Sequence, residues 1–97
     1  MSTKTASFAK MTIKEGKMDD AMAKMKEAVD VFSGLPGVLS MTFAKTGERE
    51  LRSLAIYDSP ESLEKHGVTL KKFLAECMPM FEEGGFERAI GEIVANA

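Results

Sequence analysis

The sequence holds few side chains that can move a proton at neutral pH, and His66 is its sole histidine. An imidazole with an ordinary pKa of about 6.5 accepts and releases protons in this range. Two interpretations of His66 stay open, because the residue falls at a break in a predicted helix. It is either a general acid or base that lines a pocket, or a capping side chain that contacts a backbone carbonyl.

Tyr57 is the second candidate catalytic residue, because its hydroxyl can donate a hydrogen bond to a substrate oxygen. The alternative is a ring that packs at the end of a strand with its hydroxyl in water. Cys77 lies on the apolar side of a predicted helix and is interpreted as a buried, unreactive thiol. Arg52 and Arg88 are interpreted as charges at the sheet edge or as anchors for a substrate anion.

Metal and cofactor motifs are missing from the sequence. One histidine and one cysteine cannot form a structural zinc site, which needs about four clustered ligands. There is also no GxGxxG fingerprint, Walker lysine loop, GxSxG elbow or HExxH helix. We therefore expect neither a metal nor a cofactor.

Composition places the chain among ordinary globular domains. It is 44% apolar and 29% charged with a net charge of −2, which excludes disorder, a disulfide scaffold and a nucleic-acid clamp. No apolar run approaches the roughly 20 residues of a membrane helix, and neither a secretory leader nor a transit peptide is indicated. A single cysteine favours a reducing compartment. We therefore expect one cytoplasmic domain over residues 1–97, with no nucleic-acid or membrane partner.

Hydrophobic periodicity predicts the first half of the fold. Alternation predicts strands at Thr5–Ile13, 38–46 and Glu50–Tyr57, of which the last two form a hairpin. Between the first two strands, an apolar stripe predicts a helix over 18–33 that ends at a left-handed Gly34. The stripe consists of Met18, Met22, Met25, Val29 and Phe32. The eight methionines of the chain suit a plastic core or an adaptable apolar pocket.

A second helical segment begins at Ser59 and Pro60, which suit the cap and the first position of a helix. Gly67 interrupts its apolar stripe and predicts a kink or two short helices. Pro79 ends the segment near Met78.

The last element is a strand over 86–94, which follows a turn at the glycine pair 84–85. The element order is therefore β-α-β-β-α-β, the split βαβ or ferredoxin-like arrangement of an α+β domain. In that arrangement, two helices cover one face of a four-stranded antiparallel sheet.

Several predicted strands carry apolar residues on both faces, although two helices can cover only one face of the sheet. A large exposed apolar patch marks a contact surface, and a second copy of the chain is the simplest partner. We therefore expect a homodimer through the uncovered sheet face. The opposed apolar residues include Phe8 against Met11, Val38 against Met41, Leu51 against Leu54 and Ile90 against Ala89.

Four segments, in order and at consistent distances, carry a family resemblance that extends over nearly the whole chain. They are residues 14–19 (KEGKMD), 35–40 (LPGVLS), 57–63 (YDSPESL) and His66. On these segments the chain resembles the antibiotic-biosynthesis-monooxygenase-like domains of the dimeric α+β barrel superfamily.

The resemblance implies a homodimer with a pocket in each subunit, between the sheet and its helices. Members of this family include cofactor-independent oxygenases of quinol-like or polyphenolic substrates, haem-degrading enzymes and isomerases of small metabolites. The haem-degrading members use an asparagine in the first strand, a tryptophan and a later histidine. This sequence has no tryptophan, and its one asparagine is Asn96, so haem degradation is not expected.

The resemblance and the residues together predict a cofactor-independent monooxygenase or a related small-metabolite enzyme. Its substrate would be a quinol-like or polyphenolic compound in an apolar pocket, with His66 as proton carrier and Tyr57 as a second catalytic residue. The alternative is a non-catalytic homodimer that binds a small ligand, because a reaction usually needs several converging polar groups.

Overall fold

A computed structural model describes residues 3–96, so Met1, Ser2 and Ala97 of the predicted domain lie outside the described residues. Its elements follow the predicted β-α-β-β-α-β order, with the second helical segment divided in two. None of the helices in this part of the chain is long and apolar enough to cross a membrane. The elements are β1 (Thr5–Ile13), α1 (Met18–Phe32), β2 (Val38–Gly47), β3 (Glu50–Tyr57), α2 (Pro60–Lys65), α3 (Gly67–Cys77) and β4 (Phe81–Glu92), with a 3₁₀ turn at Met78–Met80.

The four strands form one antiparallel sheet in the order β2-β3-β1-β4, which confirms the ferredoxin-like prediction. Directly opposed residues share a face, so the register assigns every side chain of the sheet to one side. The helix-covered face carries Met11 and Ile13 of β1 together with Leu51 and Ala55 of β3, all buried. These residues form the core with the buried side of α1.

The predicted turn at residues 84–85 is wrong, because both glycines lie inside β4. Met11 pairs with Phe86 and Ile13 pairs with Phe81, so two steps along β1 correspond to five along β4. The extra residues form a bulge, in which Gly84 adopts φ +70°. The bulge lets the Phe81 and Phe86 rings stack with centroids 5.9 Å apart. The sequence does not predict the start of β4 before residue 86, because glycines usually interrupt strands.

The buried side of α1 is rotated relative to the predicted stripe. Met25 and Phe32 are buried as expected, but the other two buried positions of the helix are Ala21 and Ala28. Small alanine side chains let the helix backbone approach the sheet closely, which leaves the bulkier Met22 only half-buried. The stripe predicted from the large apolar side chains is therefore centred on the wrong residues.

The divided second helix forms as its residues predict. The Ser59 side chain accepts a hydrogen bond from the Ser62 amide at 3.2 Å, and Pro60 occupies the first turn. The helix breaks at His66, α3 then ends at Cys77, and the proline-containing 3₁₀ turn follows.

A tight junction connects the α1–β2 loop to the start of α2. Gly37, and not the predicted Gly34, adopts the left-handed backbone, with φ +88°. The Gly37 carbonyl accepts a hydrogen bond from the Asp58 amide at 2.9 Å. A Cβ atom on Gly37 would overlap the Ser62 hydroxyl and lie 2.7 Å from its Cβ. We call Pro36, Gly37, Asp58, Ser62 and His66 the junction.

Substitution of Gly37 by alanine is expected to destabilise the fold by about 2 to 4 kcal/mol, because a side chain there adds left-handed strain to overpacking. Gly34→Ala is the matched control, since no atom lies within 4 Å of its added Cβ and its φ is not positive. The control should change stability by less than about 0.5 kcal/mol. Urea unfolding followed by circular dichroism measures both, and equal losses would contradict the assigned geometry.

Candidate active site

An enclosed cavity lies between the helix-covered face of the sheet and the helices. It has about 50 Å³ of free space. Its wall is mainly apolar, and methionine side chains from β1, α1 and β2 contribute to it. The apolar lining residues are Ala9, Met11, Met25, Ala28, Phe32, Met41, Phe43, Ala55, Leu70, Phe73, Leu74 and Phe86.

Two larger spaces, of about 440 and 470 Å³, are open grooves on the surface of the chain. The first crosses the uncovered sheet face, and the second follows α1 along β2. The cavity between the sheet and the helices is the better candidate site because it is more enclosed than either groove and its wall is mainly apolar.

A small group of polar residues also lines this cavity. Ser7 and Ser53 come from the two central strands, Tyr57 from the end of β3, Cys77 from the end of α3 and Arg88 from β4. Arg88 pairs with Ala9 in the sheet register, which turns its side chain toward the helices. Its Nε donates a hydrogen bond to the Ser7 hydroxyl at 3.1 Å.

Arg88 differs from Arg52 in charge pairing. Arg52 lies on the uncovered face, where its Nε is 3.2 Å from a carboxylate oxygen of Glu50. No carboxylate within residues 3–96 lies within salt-bridge distance of Arg88. Of the two predicted anion anchors, the structure therefore places only Arg88 at the cavity.

Tyr57 is 1% exposed and lines the cavity, and its predicted catalytic role stays a prediction. Burial raises the pKa of its hydroxyl above the ordinary 10.0, and the nearby positive charge of Arg88 partly opposes this rise. At neutral pH the hydroxyl is therefore protonated and can donate a hydrogen bond into the cavity.

His66 is placed elsewhere, in the junction. Its ring is buried, and its Nε2 lies 2.7 Å from the carbonyl oxygen of Pro36. A carbonyl can only accept, so the hydrogen-bond pattern assigns a proton to Nε2. His66 does not line the cavity, and the structure does not bring it together with Tyr57 there. Its predicted role as proton carrier stays a prediction.

Cys77 is fully buried at the end of α3, as its position on the apolar stripe predicts. Burial raises the pKa of the thiol, while Lys24 weakly lowers it. A buried thiol of this kind stays protonated and is a poor nucleophile at neutral pH.

Sequence reasoning missed Ser7 and Ser53, because isolated serines in strands carry no motif. The alternation of β1 gives one signal that was available: Ser7 shares the face of Ala9 and Met11. A polar residue on the covered face of a strand needs a partner there, and Arg88 supplies it for Ser7.

The uncovered sheet face is less apolar than the sequence pattern predicts. Phe8 and Leu54 are 49% and 37% exposed on it, next to a charged cluster. In the cluster, Lys10 Nζ lies 3.7 Å from Glu50 and 3.9 Å from Glu87. Ile90 points to the other face, because it pairs with Ser7.

Comparison with known proteins supports the fold assignment. No protein-family model and no curated protein sequence matches the chain. Among solved structures, a candidate antibiotic biosynthesis monooxygenase from Chloroflexus aurantiacus superposes with a TM-score of 0.77 and 22% identity, over 98% of this chain and 97% of that one.

Two further structures superpose over almost their full lengths. The cofactor-independent oxygenase SnoaB from Streptomyces nogalater has a TM-score of 0.83 at 7% identity, over 97% of this chain and 96% of its own. Rv0793 from Mycobacterium tuberculosis has a TM-score of 0.88 at 13% identity, over 98% of this chain and 99% of its own. The chain therefore has the fold of antibiotic-biosynthesis-monooxygenase-like proteins.

Stability is expected to fall above about pH 9, near the ordinary pKa values of cysteine and tyrosine. Burial raises the pKa of both Tyr57 and Cys77, so as the pH rises the unfolded chain releases these protons before the folded chain does. The free energy of unfolding must then decrease with pH. Tyr57→Phe should flatten the part of this decrease that begins near pH 10, as measured by urea unfolding from pH 7 to 11. An unchanged slope in the variant would contradict the buried state of the hydroxyl.

Proposed function

We propose that the chain is a cofactor-independent monooxygenase-like enzyme of the cytoplasm, acting on a small quinol-like or polyphenolic substrate in the enclosed cavity. One observation carries the proposal: an apolar cavity with a tyrosine hydroxyl donor and an arginine that has no acidic partner among residues 3–96. The shared fold with SnoaB and with the Chloroflexus aurantiacus protein supports the same reaction class.

The reaction needs no redox group from the protein, because the ionised substrate is itself the reductant. Loss of a proton from a substrate CH₂ group next to an aromatic ring gives a carbanion. The carbanion transfers electrons to dioxygen, a carbon–oxygen bond forms, and the proton that the CH₂ group released to water returns to complete a hydroperoxide. The hydroperoxide then loses water and leaves a carbonyl, so one oxygen atom enters the product and the other enters water.

The cavity residues would bind and orient this substrate. Arg88 and Tyr57 would contact its oxygen atoms, Tyr57 from a buried position and Arg88 from a solvent-exposed one. The free space of about 50 Å³ is smaller than a ring-sized ligand. Methionine side chains such as Met25 and Met41 therefore shift when the substrate enters, as their flexible thioethers allow.

We assign His66 to the junction rather than to the chemistry. A proton carrier would have to use Nδ1, because Nε2 is committed to the Pro36 carbonyl. Glutamine places an amide nitrogen near the position of Nε2, so His66→Gln can keep this hydrogen bond but cannot carry a proton. The variant therefore separates the two interpretations of His66.

Oxygen uptake with a panel of hydroquinones, dihydroxynaphthalenes and anthrones tests the proposed activity. Arg88→Gln and Tyr57→Phe should each reduce kcat/KM by about 100-fold, since each removes a group that contacts the reacting oxygen atoms. His66→Gln should stay within about two-fold of wild type, a shift near the error of such rate comparisons.

The matched control for these variants is Arg49→Gln, which removes an arginine from an exposed pair with Glu82. It should leave turnover unchanged. No oxygen uptake with any substrate would reject the activity and favour the alternative, a non-catalytic ligand-binding protein. A large loss in His66→Gln together with native stability would restore His66 as the proton carrier.

We also propose that the chain forms a homodimer through the uncovered sheet face. The face exposes Phe8 and Leu54 among two cations, Lys10 and Arg52, and the two carboxylates of Glu50 and Glu87. A two-fold interface places a surface against the same surface of a second copy. A patch that carries positive and negative charges can therefore form ion pairs across the interface.

Light scattering after size exclusion should give twice the 10.6 kDa chain mass for the wild type. Leu54→Lys should shift the mass to the monomer, because it buries an unpaired charge in the interface. Val68→Lys is the control, since Val68 is an apolar side chain 73% exposed on α3, away from the sheet face. A wild-type monomer at micromolar concentration would contradict the dimer.

A further inference from the structure

We propose that the cavity binds its ligand as an oxyanion, a carboxylate or an ionised phenol, held by the guanidinium of Arg88. The inference deepens the proposed function by naming the charge state of the substrate. It rests on that function only in placing the substrate in the same cavity.

The position of Arg88 is fixed by two contacts with the neighbouring strand β1. The pairing of Arg88 with Ala9 sets the face of the sheet from which the side chain projects. The hydrogen bond from Nε to Ser7 at 3.1 Å then sets the direction of the guanidinium. This bond uses one of five N–H donors, so the terminal nitrogens remain for a bidentate contact with an anion.

The charge balance of the cavity favours an anion. Its lining includes no aspartate or glutamate, so Arg88 is the one charged residue among the side chains that form the wall. The other two arginines each have a carboxylate partner: Arg49 with Glu82 at 3.8 Å, and Arg52 with Glu50 at 3.2 Å. The Arg88 side chain is solvent-exposed, so its attraction for an anion depends on direct hydrogen bonds from the guanidinium rather than on burial.

Tyr57 supplies a second hydrogen-bond donor to the wall of the cavity. Its protonated hydroxyl can donate to the same anion or to a second oxygen of the ligand. The rest of the wall is apolar and includes the Phe32, Phe43 and Phe73 rings, which suit a flat ring. The ligand class is therefore a small aromatic compound with one oxyanion.

The oxyanion form also explains how the proposed reaction can start without a histidine in the cavity. A phenolic substrate bound to Arg88 loses its proton more readily, because the positive charge stabilises the phenolate. The phenolate oxygen feeds electron density into the ring that reacts with dioxygen. Arg88 would thus act on the reacting group by charge, without transferring a proton itself.

Fluorescence titration with salicylate and salicylamide tests the carboxylate arm. The two ligands have the same shape and differ in the charge of one group, and the chain has no tryptophan to obscure their emission. Wild type should bind salicylate at least about ten-fold more tightly than salicylamide, a ratio that one charged contact can supply. Arg88→Gln should abolish this ratio, whereas Arg88→Lys should keep part of it and Arg49→Gln all of it.

Absorbance titration of 4-nitrophenol tests the phenol arm. Its phenolate band should appear at lower pH in the presence of wild-type protein than in buffer, and Arg88→Gln should remove this shift. Circular dichroism of each variant verifies that it is folded. A positive result in either arm supports the oxyanion site.

The proposal is overturned if neither arm shows saturable binding, if salicylate and salicylamide bind equally and 4-nitrophenol shows no shift, or if the preferences persist in folded Arg88→Gln. These results are distinct from failure of the proposed function. Selective salicylate binding without oxygen uptake would keep the oxyanion site and reject the oxygenase. Oxygen uptake with no preference for anions would keep the oxygenase and reject the oxyanion site.

Discussion

The close contact between Gly37 and Ser62 is the constraint on which the arrangement of the helices depends. The left-handed backbone at Gly37 lets the α1–β2 loop touch the start of α2, and the Asp58 amide ties the same loop to the end of β3. His66 adds a further hydrogen bond to Pro36 at the helix break. The junction thus fixes α2 and α3 over one face of the sheet, and the cavity is the space they leave against it.

The junction explains why the fold could be predicted and the chemistry could not. Three of the four parts that carry the family resemblance, segments 35–40 and 57–63 and His66, meet at the junction in the structure. Their residues are there for backbone geometry and capping, which are requirements of the fold. Apart from Tyr57, which lines the cavity, they indicate nothing about the reaction, so a resemblance built on them predicts the architecture and leaves the activity open.

Local patterns predicted most elements but not features that depend on tertiary contacts. Alternation placed Thr5–Ile13 and Glu50–Tyr57 with their observed bounds, because the pleat imposes a period of two. The bulge at residues 84–85 depends on the path of β1, which no local signal contains. The cavity residues Tyr57 and Arg88 come from different strands, so only the sheet register shows that they face the same cavity.

We infer that His66 belongs to the scaffold and that Arg88 contacts the ligand. Nitrogen NMR of the side chains tests it directly, because a chain with one histidine gives unambiguous imidazole signals. The account predicts a proton on Nε2 of His66 that salicylate leaves unchanged, together with a shift of the Arg88 Nε signal. Salicylate-induced shifts in the imidazole signals with an unchanged Arg88 signal would contradict it.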